Sequence, residues 1–182
     1  MQLIKNYIQQ NYSLLFHHQP NNTLTAIFDT KGFRFTVDAQ NNYNLIKNQP
    51  HLYVAWTNNV NGYYYIGKSF QLGGRWKRQH AYHLGTLAHH LLDTIHYDDQ
   101  NHAHWIKHWM DNETLENIDD NLFSIKLNEE VYISFIPFSI YSDNDFNTLD
   151  RNEIRQINTN VERQLIQSYR DDNKILLNVQ HN

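Results

Sequence analysis

Cysteine is absent from the 182 residues, proline occurs three times and glycine six times. Without a thiol there is no disulfide, no thiolate zinc site and no cysteine nucleophile. The Gly73-Gly74 pair is too short for the glycine-rich loop of a nucleotide-cofactor enzyme. No stretch approaches the ~18 consecutive apolar residues of a membrane span. Residues 1–16 carry neither the basic start nor the small-residue cleavage site of a secretory signal, so a cytoplasmic location is expected. What remains is 40% hydrophobic and 14% aromatic, with 12 tyrosines, enough for one domain with a sizeable core and a small extension.

The net charge of −4 argues at first against a nucleic-acid partner, but the charge is unevenly spread. Residues 1–50 carry +2, 51–97 carry +3, 98–150 carry −10 and 151–182 carry +1. Lys68, Arg75, Lys77 and Arg78 fall within eleven residues and form a candidate phosphate-facing patch. The acidic segment reads either as solvated loops or as a surface turned away from DNA.

Apolar positions from Leu3 to Leu15 recur at helical spacing and predict an N-terminal helix over residues 3–16. Leu24–Phe28 and Phe33–Val37 flank Asp29-Thr30-Lys31-Gly32 and predict a hairpin. Residues 1–50 are therefore expected to form a helix-plus-hairpin extension, and 51–182 the main domain. Leu52–Trp56 and Tyr63–Gly67 predict a second hairpin, with Asn61-Gly62 at its return. Helices are expected over 72–83 and 87–96. A polar, acidic segment follows at 98–128, with one helix near Trp105 and Trp109. Val131–Ile140 reads as a strand, and Ile154, Ile157, Val161 and Leu165 form the stripe of a helix over 150–169. The order predicts an α+β fold with a small, mainly antiparallel sheet.

The chemistry concentrates around the second hairpin. Tyr53 and Tyr65 sit on its two strands, Lys68 at the exit, and Arg75 after the Gly73-Gly74 turn. Arg75, Arg78, Gln79 and Tyr82 share one face of the following helix. Far downstream, Glu162 lies at the edge of an apolar stripe, where a carboxylate can look into a cleft. Two phenols, a lysine, an arginine and a carboxylate suit phosphodiester cleavage. A phenol relays a proton from water, the cations neutralise phosphorane charge, and the carboxylate holds a hard divalent ion. Tyr63 and Tyr64 read as packing residues.

At these residues the chain resembles the GIY-YIG nucleases. His51-Leu52-Tyr53 stands at the first motif and Tyr65-Ile66-Gly67 is an intact second motif. Lys68 matches the lysine that follows it in several members. Arg75 lies eight residues after Gly67, at the place of the catalytic-arginine helix. Glu162, with Leu165-Ile166 after it, looks like the metal-binding glutamate, and Asn178 resembles the terminal asparagine. The resemblance implies a three-stranded antiparallel sheet flanked by helices and one divalent metal, Mg²⁺ or Mn²⁺, held by Glu162. It also implies Tyr53 as general base on water, Tyr65 supporting water or phosphate, and Arg75 stabilising the transition state. Lys68 would lower the phenol pKa through its charge. Two positions depart from the pattern: His51 replaces the first-motif glycine, and Gln79 stands where some members carry a histidine, with His80 adjacent. Residues 98–128 form an insertion relative to a minimal member.

The expected substrate is double-stranded DNA, contacted by Lys77, Arg78, Gln79 and His80. The chain ends soon after Asn178, and such compact decoration resembles the type II restriction endonucleases of the family. One active site per chain then favours a homodimer on a palindrome and a companion methyltransferase at the same site. A small repair or mobile-element nuclease and a non-catalytic nucleic-acid-binding scaffold are the alternatives. The twelve histidines include His104 and His108 at i, i+4, yet the pattern lacks the further ligands of a zinc site. The resemblance implies that His89 or His90 lies near the cleft, since the second core helix often contributes polar groups in the family.

Overall fold

In chain order the elements are α1 (Gln2–Gln10), β1 (Ser13–Phe16), β2 (Leu24–Asp29), β3 (Gly32–Arg34), α2 (Val37–Ile46), β4 (His51–Thr57) and β5 (Tyr63–Ser69). They continue with β6 (Leu115–Asp119), β7 (Leu122–Leu127), β8 (Val131–Pro137), a 3₁₀ turn (Phe138–Ile140), α3 (Arg151–Asp171) and β9 (Ile175–Leu176). This computed structural model describes residues 1–16, 24–29, 32–34, 37–57, 63–70, 115–119, 122–127, 130–176 and 178. The helices expected over 72–83 and 87–96, and the one near Trp105 and Trp109, lie outside them.

The chain divides into two compact units. One comprises Met1–Leu14, Val37–Leu72 and Val131–Asn182; the other comprises Leu15–Thr36 and Gly73–Glu130. This division differs from a boundary at residue 50. Residues 1–14 and 37–50 fall with the β4–β5 hairpin, whereas the β2–β3 hairpin falls with 73–130.

The fold is α+β, as expected, but its main sheet is larger than the three antiparallel strands implied by the resemblance. Five strands run in the order β1-β8-β4-β5-β9. The inner three are antiparallel, with Tyr53 opposite both Gly67 and Phe135. β9 pairs parallel to β5, which makes the sheet mixed. The added strands satisfy backbone groups that β8 and β5 would otherwise leave bare at their edges. β1 also corrects the helix expected over 3–16. α1 stops at Gln10 because Asn11 leaves the helical conformation, with φ −132° and ψ 72°, and its Nδ2 caps the Tyr7 carbonyl at 3.0 Å.

The second unit holds a four-stranded sheet, β3-β2-β7-β6. Its β2–β3 hairpin, with Asp29 opposite Gly32, matches the sequence expectation. β2 also pairs antiparallel with β7 along six residues. The segment 98–128, read as a helical or loop insertion, therefore contributes two strands at 115–119 and 122–127. Its acidic residues obscured the short apolar alternation of Leu122 to Leu127.

Side chains alternate between the faces of a strand. Leu52, Val54, Ile66 and Ile136 share one face of the five-stranded sheet and pack with Ile4 and Ile8 of α1 and Leu165, Ile166 and Tyr169 of α3. Burying Leu165 and Ile166 alone stabilises by about 3–5 kcal/mol, which fixes the helix's inward face. Asp150 and Glu153 close a reciprocal capping box at its start. On the opposite face, His51, Tyr53, Tyr65 and Phe135 share strand parity, and Tyr43 of α2 lies 5.4 Å from Phe135, ring to ring.

Candidate functional site

α3 runs antiparallel to β5. The Arg151 guanidinium stands 5.9 Å over the Phe70 ring at one end, and Tyr169 meets Tyr64 at 5.1 Å at the other. Between them, the buried stripe of α3 reads Ile154, Asn158, Glu162, Leu165, Ile166, Tyr169. A carboxylate in such a stripe carries a desolvation cost of several kcal/mol unless it is paired. Glu162, only 3% exposed, is paired: Lys68 Nζ donates to its Oε2 at 2.5 Å. The same ammonium donates to Thr159 Oγ1 at 3.0 Å. Two residues 94 positions apart, both expected in one site, are thus in direct contact.

The two phenols are also brought together. The rings of Tyr53 and Tyr65 stack with centroids 6.1 Å apart. Tyr53 is wholly buried and its ring lies across Gly67, so closely that a Cβ at that position would overlap Cζ and Oη. The second-motif glycine is required here by that close approach. The phenols and the ion pair do not share a face, however. Tyr53 is in register with Gly67 and Leu52 with Lys68, so the sheet lies between the two groups. The ammonium expected to lower a phenol pKa is engaged with Glu162 and Thr159 on the far side.

Asn178 serves the backbone. Its Oδ1 accepts from the Ile66 N–H at 2.9 Å and its Nδ2 donates to the Ile66 carbonyl at 2.5 Å. One side-chain amide thereby imitates a neighbouring strand at the residue between Tyr65 and Gly67. Arg75, Lys77, Arg78, Gln79, His80, His89 and His90 lie outside the described residues, as do His104 and His108.

Three polar residues escaped the sequence reading as site neighbours. Tyr141 donates to Asn158 Oδ1 at 2.9 Å, and Asn158 Nδ2 is buried without a hydrogen-bond partner among the described residues. Burial pushes the Tyr141 phenol above its ordinary pKa, so it stays a donor. The signal was present in the spacing, because Asn158 precedes Glu162 by one turn on the same stripe. His51 is the third. Its Nδ1–H donates to the Gln49 carbonyl at 2.9 Å while Nε2 is buried without a partner. Burial lowers its pKa to about 4, against a smaller upward pull from the Gln49 carbonyl.

Glu162 offers a single carboxylate, whose Oε2 already accepts from Lys68, so a hard divalent ion there would need its remaining ligands from water and phosphate oxygens. Among the described residues no group of three or more His, Cys, Asp or Glu side chains is placed to enclose a metal. Nor, among them, is any helix long and apolar enough to cross a membrane. No protein-family model, no curated protein and no solved structure matches the chain.

Proposed function

We propose that this chain is a metal-dependent endonuclease of double-stranded DNA, working as a site-specific restriction enzyme and a homodimer. The observation that supports the reading most directly is the Lys68–Glu162 contact, since phosphodiester cleavage needs a cation for the phosphate beside a hard oxygen ligand. Glu162 would hold a Mg²⁺ or Mn²⁺ ion, which when bound supplies Lewis-acid stabilisation of phosphoryl oxygen charge. Lys68, held beside it, neutralises negative charge on the phosphate once a ligand takes it from the carboxylate. Thr159 accepts from the Lys68 ammonium beside Glu162, while Asn178 holds the backbone between Tyr65 and Gly67. Arg75 and the expected DNA contacts Lys77, Arg78, Gln79 and His80 complete the electrostatics.

A second reading, a nucleic-acid-binding scaffold without catalysis, is favoured by one observation. Tyr53 is fully buried and lies across the sheet from Glu162, an unsuitable position for a base acting on water. Supercoiled plasmid incubated with and without Mg²⁺ separates the readings. Discrete fragments support site-specific cleavage, a smear supports a nonspecific nuclease, and a mobility shift without cutting supports the scaffold. Glu162→Gln and Arg75→Ala are each expected to reduce cleavage about 10²–10³-fold without changing the circular dichroism spectrum. Full activity in both variants would reject the nuclease reading.

A further inference from the structure

The solvent side of α3 has an unusual composition for an exposed helix. Its 21 residues contain no lysine and four arginines. Of its exposed carboxylates, Glu153 is engaged in the capping box and Asp171 accepts from Gln167 at 2.9 Å. The rest of the exposed surface is arginine, asparagine and glutamine. A merely solvated helix face more commonly mixes lysine with glutamate.

The arrangement around the axis is graded. At about 100° per residue, Arg155, Arg170 and Arg163 follow Glu162 on one side, within about 100° of it. Gln156, Asn160 and Gln164 come next, at about 120° to 200°, on the side opposite the sheet. Arg155 and Arg163 are exposed and make no ion pair among the described residues. The order round the helix is thus a carboxylate facing the sheet, then guanidinium groups, then side-chain amides, with Glu153 and Asp171, already engaged in the capping box and with Gln167, at the two ends of the amide side. Guanidinium groups recognise phosphate, and arginine, asparagine and glutamine are the side chains whose paired donors and acceptors match base edges. The major groove of duplex DNA, about 12 Å wide, admits a helix.

We infer that the solvent face of α3 is the DNA-docking surface, with Arg155 and Arg163 on backbone phosphates and Gln156, Asn160 and Gln164 toward base edges. The inference rests on the DNA-directed reading above and adds what that reading did not contain, a surface on the helix that carries Glu162. The segment 151–182 has a net charge of only +1, because four carboxylates offset its cations, and each has a partner: Glu153 in the capping box, Glu162 on Lys68, Asp171 on Gln167 and Asp172 on Lys5.

The test is duplex binding followed by fluorescence anisotropy in Ca²⁺, over a range of salt concentrations. The variants are Arg155→Gln/Arg163→Gln and Gln156→Ala/Asn160→Ala/Gln164→Ala, all at exposed positions. The arginine variant is expected to lower the slope of log K against log salt by about 2 and to bind about thirtyfold more weakly at about 0.15 M salt. The amide variant keeps the slope and levels out affinities for duplexes of different sequence. Plasmid cleavage by the unaltered protein is scored in parallel. Binding that is salt-sensitive through Arg155 and Arg163, without any cleavage, upholds the surface and overturns the nuclease. Cleavage with an unchanged slope in the arginine variant overturns the surface alone. No binding by the unaltered protein overturns both.

Discussion

The two faces of the five-stranded sheet treat ionisable groups in opposite ways. On the face toward α3, the buried Glu162 and the half-buried Lys68 form a charged pair, each compensating the other at 2.5 Å. On the other face, His51 is kept neutral by burial between the Tyr43 and Phe135 rings, with no ion pair among the described residues at His51. A buried pair tolerates polarity only while both partners remain. A neutral buried group tolerates it only while the pH stays above its titration range. The faces should therefore fail under different stresses.

The largest effect is expected from Lys68→Ala. It leaves the Glu162 carboxylate buried without its cation and should destabilise by about 3–5 kcal/mol in urea denaturation. Replacing both, as Lys68→Met/Glu162→Gln, should recover much of that loss; additive losses would mean that the contact carries no coupling. Acid should act next, on the other face. The pKa of His51 is about 4 when folded, against an ordinary value of 6.5. The unfolded chain binds the extra proton first, so the His51 contribution is complete above about pH 6.5 and is lost as pH falls toward 4. The full loss is about 3 kcal/mol. In His51→Phe the stability profile between those pH values should flatten; an identical profile would place the acid sensitivity elsewhere. Gly67→Ala should cost about 2 kcal/mol, because the new methyl group drives the Tyr53 ring out of its position. Loss of the Tyr53–Tyr65 stacking signature in near-ultraviolet circular dichroism should accompany it, while the Lys68–Glu162 coupling persists.

Local patterns carried much of the first unit. The β4–β5 hairpin was legible from two apolar runs around Asn61-Gly62, and α3 from its stripe beginning at Asp150. Glu162 and Lys68 were legible as members of one site. Their separation from the phenols was legible too, since Lys68 follows Tyr65 by an odd number of residues and strand parity sends them to opposite faces. The resemblance, which treats the motif as one cluster, outweighed that arithmetic. β1 was misread because Leu15 prolongs the helical spacing of α1, although Asn11 marked the stop. The pairing of β2 with β7 had no local signal, as their register joins residues about a hundred positions apart. Hydrogen bonding between distant segments is set by the whole fold and leaves little trace in either segment alone.

The discontinuity of the first unit sets an order of events during synthesis. Lys68 leaves the ribosome 94 residues before its carboxylate partner does, an interval of about 5–20 s at ordinary elongation rates. Over that time the β4–β5 hairpin lacks β8 on one side and α3 above it, and its apolar face has nothing from either to cover it. The hairpin itself forms in about 1–10 μs, so the wait for α3 is set by synthesis. The ion pair is therefore among the last contacts made, and a nascent chain has no assembled Lys68–Glu162 site until α3 has been synthesised.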